Sequence, residues 1–323
     1  MTKVLVISNH EDDHIELVSS ISGLEFVLFD PTLFINDSQL LSFYISPNGK
    51  LKGMFKNHNL NDFKAFWYRK PKFISQSEYP VEPDYQEHCR ENYMRLISTL
   101  FSVYKDKLWV NHPDDIKSAD VKLKQLLVAK SLGFNISETL ISNSTNDSIR
   151  FINRKEIVVA KTLGQRRVKV GDFYANGPLT EIDSSARIQT DLYENELGLI
   201  VNPYIFQEYA PGNVHRVIVV NRKVFSIKTI ALKPEIPMDS RAIMLSDEYS
   251  LNVKSEIPEY LKSMCLEYLD YFNLKYGAFD FIESPDGSFL FLECNPNGQW
   301  GFVDYIAGED KIAKEFANLF ESV

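Results

Sequence analysis

Apolar positions recur along this chain with two periods. Short β-branched and aromatic runs, bounded by Gly, Pro, Asn or Asp, predict strands at 3–8, 25–29, 63–68, 157–161, 204–210, 215–220 and 224–231. Runs 42–45 and 51–55 flank Pro47-Asn-Gly49, which predicts a hairpin. Other segments repeat apolar residues every three to four positions and predict helices. One covers 85–104, with Leu96, Leu100 and Phe101 inward. A second runs from an N-cap at Ser118 to Leu132, stopped by Gly133, with Leu123, Leu126, Leu127 and Ala129 inward. A third covers 256–272, with Tyr260, Leu261, Met264, Cys265, Tyr268 and Leu269 inward, and a closing helix covers 310–320. Alternating strands and helices predict a small α/β domain over 1–112, with the Asn111-His-Pro113 turn as its boundary.

The most informative stretch is Tyr276-Gly-Ala-Phe-Asp-Phe-Ile-Glu283, the turn Ser-Pro-Asp-Gly287, then Ser288-Phe-Leu-Phe-Leu-Glu-Cys-Asn295 and Pro-Asn-Gly-Gln-Trp300. Two apolar runs around a Pro-Asp-Gly turn predict an antiparallel hairpin. A loop of residues 284–287 pairs Glu283 with Ser288 and sets Asp280 opposite Phe291. Side chains alternate along a strand, so Asp280, Glu293 and Asn295 share a face. Asp280 and Glu293 then lie diagonally, about 7–8 Å apart at Cα. Two carboxylates side by side are costly to bury. Either this face is solvated, or a divalent cation with hard oxygen ligands, such as Mg²⁺ carrying a nucleotide triphosphate, cancels the charge.

Composition narrows the classes. At 323 residues and 44% hydrophobic, the chain suffices for two or three domains with sizeable cores. A net charge of −9 argues against nucleic acid as the main partner. Cys89, Cys265 and Cys294 are too widely spaced for a disulfide framework or a zinc site. No signal-peptide pattern and no apolar run of membrane length is present, so no membrane partner is expected and a cytoplasmic location is. His10-Glu-Asp-Asp-His14 matches His-Glu-x-x-His in form, but it follows a strand at the start of a helix, where acidic residues suit the dipole. No Walker or Rossmann glycine pattern occurs. Lys161 leaves the apolar run 157–161 beside the glycine-containing segment 164–171, an arrangement that suits a phosphate.

Glu293-x-Asn295-Pro-Asn-Gly-Gln-Trp300 resembles the end of the catalytic core in the ATP-grasp superfamily, and its ending resembles the graspetide (microviridin-type) peptide macrocyclases. Trp67-Tyr-Arg-Lys-Pro71 resembles a Trp-x-Arg-Arg-Pro segment of their N-terminal domain, and Ala119-x-x-Lys122-x-x-Gln125 resembles the opening of the central one. The resemblance implies an α/β ATP-grasp fold in three parts. These are a pre-ATP-grasp domain over 1–112, a central subdomain over 113–205, and a C-terminal subdomain with antiparallel sheet over 206–323. It implies ATP and Mg²⁺ as cofactors, with the metal on Asp280, Glu293 and Asn295. Lys122 and Lys161 then meet phosphate, Gln207 or Glu208 lines the adenine pocket, and the backbone of Glu208, Tyr209 and Ala210 reads the base. Arg216 stabilises phosphate or a substrate carboxylate, and Lys228 and Arg241 are further candidate catalytic cations. Relatives carry an acidic residue two positions before the arginine. Here Val214 and His215 stand in that region, which removes an expected ion pair for Arg216 and makes His215 a candidate substrate contact.

The implied reaction is ADP-forming. Asp or Glu side chains of a ribosomal precursor peptide become acyl phosphates, and Ser or Thr hydroxyls or Lys amines close ω-ester or ω-amide rings. The partner is that precursor, leader plus core. Arg69 and Lys70 either bind peptide carboxylates or form a solvated strand end. A homodimer is allowed by the sequence and not specified by it. Three other readings stand beside this one: a ligase of free amino acids to a peptide or protein end, a non-catalytic nucleotide-binding partner, and a structural protein with a polar-faced hairpin.

Overall fold

The computed structural model describes residues 2–10, 12–36, 40–163, 167–170, 173–176, 180–183, 199–231, 250–308 and 310–323. The first segment supplies β1 (Lys3–Ile7), α1 (Asp13–Ser19), β2 (Glu25–Phe29), β3 (Leu41–Ile45), β4 (Leu51–Phe55), β5 (His58–Asn59), β6 (Phe63–Tyr68), α2 (Pro83–Val103) and β7 (Leu108–Val110). Strands β2-β1-β6-β7 form a parallel sheet. Parallel neighbours require crossovers, which α1 and α2 help to supply. Such a sheet is covered on both faces, and the unbroken buried run Val4–Ile7 follows from that. Leu5, Ile7 and Phe66 pack with Tyr93, Ile97 and Leu100 of α2. The expected hairpin is present as β3–β4.

The middle of the chain adds α3 (Pro113–Ala119), α4 (Lys122–Ser131), β8 (Asn135–Ile136), β9 (Thr139–Ser144), α5 (Thr145–Ile152), β10 (Ile157–Thr162), β11 (Arg167–Val170), β12 (Phe173–Asn176), β13 (Thr180–Asp183) and β14 (Leu199–Glu208). β13-β10-β14-β9 form an antiparallel sheet. Phe151 and Ile152 of α5 pack on it with Val158, Ala160, Tyr204 and Phe206. The single helix expected from Ser118 to Leu132 is instead two. Val121 is extended and breaks it, and Ser118 lies inside α3. The Gln125 side chain takes the Ala119 carbonyl freed at the end of α3, at 2.6 Å. This rotates α4 from its expected phase. Leu126 and Ala129 are buried, whereas Leu123 and Leu127 are 53% and 64% exposed.

The last segment contributes β15 (Asn213–Val220), β16 (Lys223–Ala231), β17 (Ser250–Ser255), α6 (Glu259–Tyr271), β18 (Tyr276–Glu283), β19 (Phe289–Asn295), α7 (Gly301–Ala307) and α8 (Lys311–Glu321). Six strands run in the order β17-β16-β15-β18-β19-β8. α6 begins later than expected and leaves Tyr260 exposed, while Leu261, Cys265, Tyr268 and Leu269 are buried as expected. One face of this sheet packs with α4 and α6 through Val217, Val219, Phe279, Phe281 and Phe291. The other packs Ile218, Val220, Ile227 and Ala278 toward α8.

α8 joins the two ends of the chain. Its Phe316 ring lies 5.2 Å from Trp67 of β6, 5.3 Å from Tyr276 and 5.0 Å from Trp300. Buried aromatic side chains of this size each contribute about 1.5–3 kcal/mol. The closing helix therefore fixes the first sheet against the six-stranded one. The expected boundary at 205 falls inside β14, and β8 and α4 pack with the six-stranded sheet.

Candidate active site

The β18–β19 hairpin departs from the simplest register in two places. Glu283 pairs with Phe289 rather than Ser288, so five residues form the turn. Phe281 pairs with Phe291 but Asp280 pairs with Glu293, which leaves Leu292 as an extra, unpaired residue in a β-bulge. Asp280 and Glu293 are therefore directly opposite, not diagonal. The bulge also changes the phase of β19. Phe291 and Cys294 go to the packed face, while Glu293 and Asn295 join Asp280 on the other.

Cations meet these carboxylates. Arg216, opposite Asp280 on β15, donates from Nη1 to both Asp280 oxygens at 2.8 Å and from Nη2 to the Gln299 carbonyl at 3.3 Å. Asp280 thus supplies the steadying partner missing at Val214. Lys122 Nζ donates to Glu293 Oε2 at 2.8 Å. Burial raises the Asp280 pKa, with Arg216 opposing and Glu293 adding to the rise. Burial also pushes Glu293 upward, but Lys122, Lys161 and Arg216 outweigh it and leave that pKa lowered. Lys161, at the end of β10, donates to Gln207 Oε1 at 3.0 Å and stands near enough to act on Glu293.

The segment after Glu293 is held at almost every residue. Cys294 donates its N–H to Gln125 Oε1 and accepts at its carbonyl from Gln125 Nε2. The Asn295 side chain accepts from the Asn297 N–H. Asn111, just past β7, donates to the carbonyls of Tyr276 and Pro296 and accepts from the N–H groups of Lys275 and Tyr276. The Tyr276 hydroxyl donates to the Gly298 carbonyl. A Cβ at Gly298 would stand 2.6 Å from that of Ala278 and 3.0 Å from Arg216 Nη2, so only glycine lets this segment lie against Arg216. His14 Nε2 accepts from the N–H groups of Trp300 and Gly301, and its Nδ1 is 2.9 Å from Asp12. Asp12 also accepts from Arg69 Nε. That network explains the His-Glu-x-x-His pattern: His14 is a buried brace, and His10 turns instead to Asp30. In sequence Gln125 figured only within the Ala119-x-x-Lys122-x-x-Gln125 resemblance, and Asn111 only as part of a turn.

The remaining candidates are dispersed. Gln207 is buried between Lys161 and Thr139. The Glu208 carboxylate is held by Lys155 at 3.0 Å, and Lys155 also meets Glu138. The N–H groups of Glu208 and Tyr209 are donated to the carbonyls of Glu138 and Ile157. Ala210 follows, half-buried, at the end of this strand. Lys228 lies opposite His215, on the face of the sheet away from Arg216 and Asp280. There its Nζ is 2.6 Å from Glu283 Oε2, which His215 Nε2 also meets at 3.0 Å. Neither Lys228 nor the buried His215 is brought to the Asp280 cluster. Arg241, Gly164 and Gly171 lie outside the described residues.

Among the described residues, no three His, Cys, Asp or Glu side chains converge as a closed metal site. Two carboxylates and an amide on one face fit an ion of the Mg²⁺ kind, which takes few protein ligands and completes its shell with phosphate oxygens and water.

No protein-family model matches the chain, and no curated protein matches it significantly. Solved structures do match. A RiPP-associated ATP-grasp ligase of Chryseobacterium gregarium, in complex with ADP and a leader and core peptide, has a TM-score of 0.86 at 24% identity, over 100% of this chain and 97% of its own. The macrocyclase MdnC of Microcystis aeruginosa MRC, bound with precursor peptide MdnA, has a TM-score of 0.77 at 22% identity, over 100% of both chains. The ATP-grasp ligase PsnB, complexed with minimal precursor, Mg and ADP, has a TM-score of 0.74 at 16% identity, over 99% of this chain and 96% of its own. Likeness of this extent, from the first strand to the last helix, shows that the chain has the fold of the ATP-grasp ligases.

Proposed function

We propose that this protein is an ATP-dependent, ADP-forming ligase that closes ester or amide rings in a ribosomal precursor peptide. One observation carries the reading. Asp280, Glu293 and Asn295 share a face that Lys122, Lys161 and Arg216 surround, in a fold shared with ligases solved alongside ADP and precursor peptides.

Asp280, Glu293 and Asn295 would hold Mg²⁺, which when bound offsets phosphate charge and orients the triphosphate. Lys122 and Lys161 then exchange their present partners, Glu293 and Gln207, for phosphate oxygens. Arg216 is fixed at both ends of its guanidinium and presents its charge without further ordering, which is how preorganised cations stabilise a transferring phosphoryl group. The hinge after β14 seats the base. The peptide carboxylate becomes an acyl phosphate, and a hydroxyl or amine displaces the phosphate.

Mass spectrometry tests this. The protein is incubated with Mg²⁺, ATP and an acidic precursor peptide encoded beside its gene. Loss of one water per ring, with ADP formed, is expected, and mild base separates ester from amide. Addition of an amino-acid residue from a mixture of free amino acids, without ring closure, would move the function to end-ligation. Absence of ADP with every carboxylate tried would leave only nucleotide binding.

A further inference from the structure

Beside Asn295 a cleft of about 320 Å³ opens, lined by Lys70, Pro71, Ile116, Asp120 and the segment from Asn295 to Asn297. It reaches one proposed metal ligand, Asn295, and carries one cation and one carboxylate of its own. No ion pair joins Lys70 to Asp120 among the described residues, so each charge faces the opening without being spent on the other.

The backbone around Lys70 is held with care. The Arg69 N–H is donated to the Ile7 carbonyl. Asn9 donates from Nδ2 to the Lys70 carbonyl and accepts at Oδ1 from the Lys72 N–H. Pro71 fixes the turn between them. Arg69 itself is 1% exposed, with Nε on Asp12 and no hydrogen-bond partner for either Nη. Burial lowers the Lys70 pKa, and the guanidinium groups of Arg69 and Arg216 lower it further against the pull of Asp12. Arg69 and Arg216 are already paired with Asp12 and Asp280, so Lys70 is the cation of this corner that the cleft presents to an anion. On the other wall, Asp120 ends α3 with its backbone tied to Ile116 and its side chain exposed.

We propose that this cleft is where the two reacting groups of the peptide meet, with Lys70 holding the acidic side chain to be activated and Asp120 accepting the proton of the attacking hydroxyl or neutral amine. The inference rests on the ligase reading above and adds the residues that serve the acyl donor and acceptor. In the first half-reaction a carboxylate oxygen bonds to the γ-phosphorus, and the bond from that phosphorus to the β,γ-bridging oxygen breaks, releasing ADP. In the second, the hydroxyl oxygen or amine nitrogen bonds to the acyl carbon and its proton passes to the Asp120 carboxylate. The bond from acyl carbon to phosphate oxygen then breaks, phosphate leaves, and Asp120 returns its proton to solvent. A carboxylate suits this task because a strong base is not needed against an acyl phosphate.

Hydroxylamine trapping separates the two roles. It captures the acyl phosphate as a hydroxamate without help from a protein base. With precursor peptide, ATP and Mg²⁺, Asp120→Asn is expected to keep hydroxamate formation within about twofold while ring closure falls about 10²–10⁴-fold. Lys70→Gln is expected to raise the peptide KM about tenfold or more, with Lys70→Arg restoring most of it. Both variants are expected to keep the wild-type Kd for ATP, which checks that they fold. Equal loss of hydroxamate and ring in Asp120→Asn, or an unchanged peptide KM in Lys70→Gln, overturns the inference while leaving the ligase in place. Wild-type protein that forms neither ADP nor hydroxamate with the peptide overturns the ligase reading, and this one with it.

Discussion

His215 and Arg216 are neighbours in sequence, and the six-stranded sheet sends them to opposite faces. Arg216 joins Asp280, Glu293 and Asn295 on the face that meets the cleft. His215 joins Glu283, Lys228 and the Phe289 ring on the other. Both groups are small ion clusters on the same strands, yet they differ in what they leave unsatisfied. On the His215 face two partners converge on a single Glu283 oxygen, and the cluster closes on itself. On the Arg216 face two carboxylates confront each other, each drawing a cation from a different part of the chain: Arg216 from β15 and Lys122 from α4. Burial pushes both carboxylates upward; Glu293 adds to the rise at Asp280, while Lys122, Lys161 and Arg216 leave Glu293 lowered. A stable fold alone has no need of such an arrangement.

The sharpest way to break the comparison is Glu293→Gln, an isosteric change that removes one charge from the open face. Turnover is expected to fall by roughly 10²–10³-fold or more, with the thermal midpoint little changed. Equal ADP release by the variant would sink the assignment. Next comes Arg216→Ala, which strands the buried Asp280 carboxylate. Urea unfolding is expected to show a loss of about 3–5 kcal/mol. A loss below about 1 kcal/mol would mean that Asp280 is already neutral and needs no partner.

A smaller effect follows from pH. Burial lowers the pKa of His14, despite Asp12, and likewise of His215, despite Glu283. Both gain protons more readily when unfolded than in the fold, so stability is full above their unfolded value of about 6.5 and falls as pH drops below it. Asp12 has a strongly lowered pKa: burial alone would raise it, but hydrogen bonds from His14 and Ser8 and the Arg69 charge prevail. Its contribution is lost progressively as pH falls from its unfolded value of about 3.9 and does not enter this window. Between pH 7.5 and 5.5 the unfolding free energy should therefore fall by roughly 1–2 kcal/mol; a flat profile would show that folding leaves their proton affinities unchanged, and a rise would show that they are charged in the fold. The least effect belongs to Lys228→Gln. The closed cluster predicts peptide turnover within about twofold of wild type and a stability change of about 0–1 kcal/mol. A loss of turnover matching that of the Glu293 variant would place Lys228 at the reacting groups after all.

Much of this was legible in sequence because it depends on local rules. Turn residues and alternation were enough to give the hairpin and to place Asp280, Glu293 and Asn295 together. Lys161 stood out in sequence as the charge that ends an apolar run, whereas Arg216 was singled out by the resemblance alone. The position of Lys228 was not legible from strand ends at 220 and 224, which leave three residues in the turn and set Lys228 opposite Arg216. A two-residue turn at Asn221 and Arg222, both with positive φ, pairs His215 with Lys228, so parity excludes Lys228 from the face of Arg216. The braces were not legible. Asn111 and Gln125 act on backbone groups more than 160 residues away, and nothing in their own neighbourhoods announces such partners. Nor was the break before α4, where a distant strand and a freed carbonyl both compete for Gln125.

Leu292 carries a consequence for how this chain can change in length. The hairpin reaches its arrangement through two added residues, one in the turn and one in the bulge, relative to the shortest pairing. Leu292 takes no part in the ladder, so its deletion alone would leave Phe291 opposite Phe281 and Glu293 opposite Asp280. Deletion of a residue that does pair, such as Leu290, would instead turn Phe289 off the packed face. The bulge is thus the one place in β19 where the strand can shorten by a residue without turning a side chain to the wrong face.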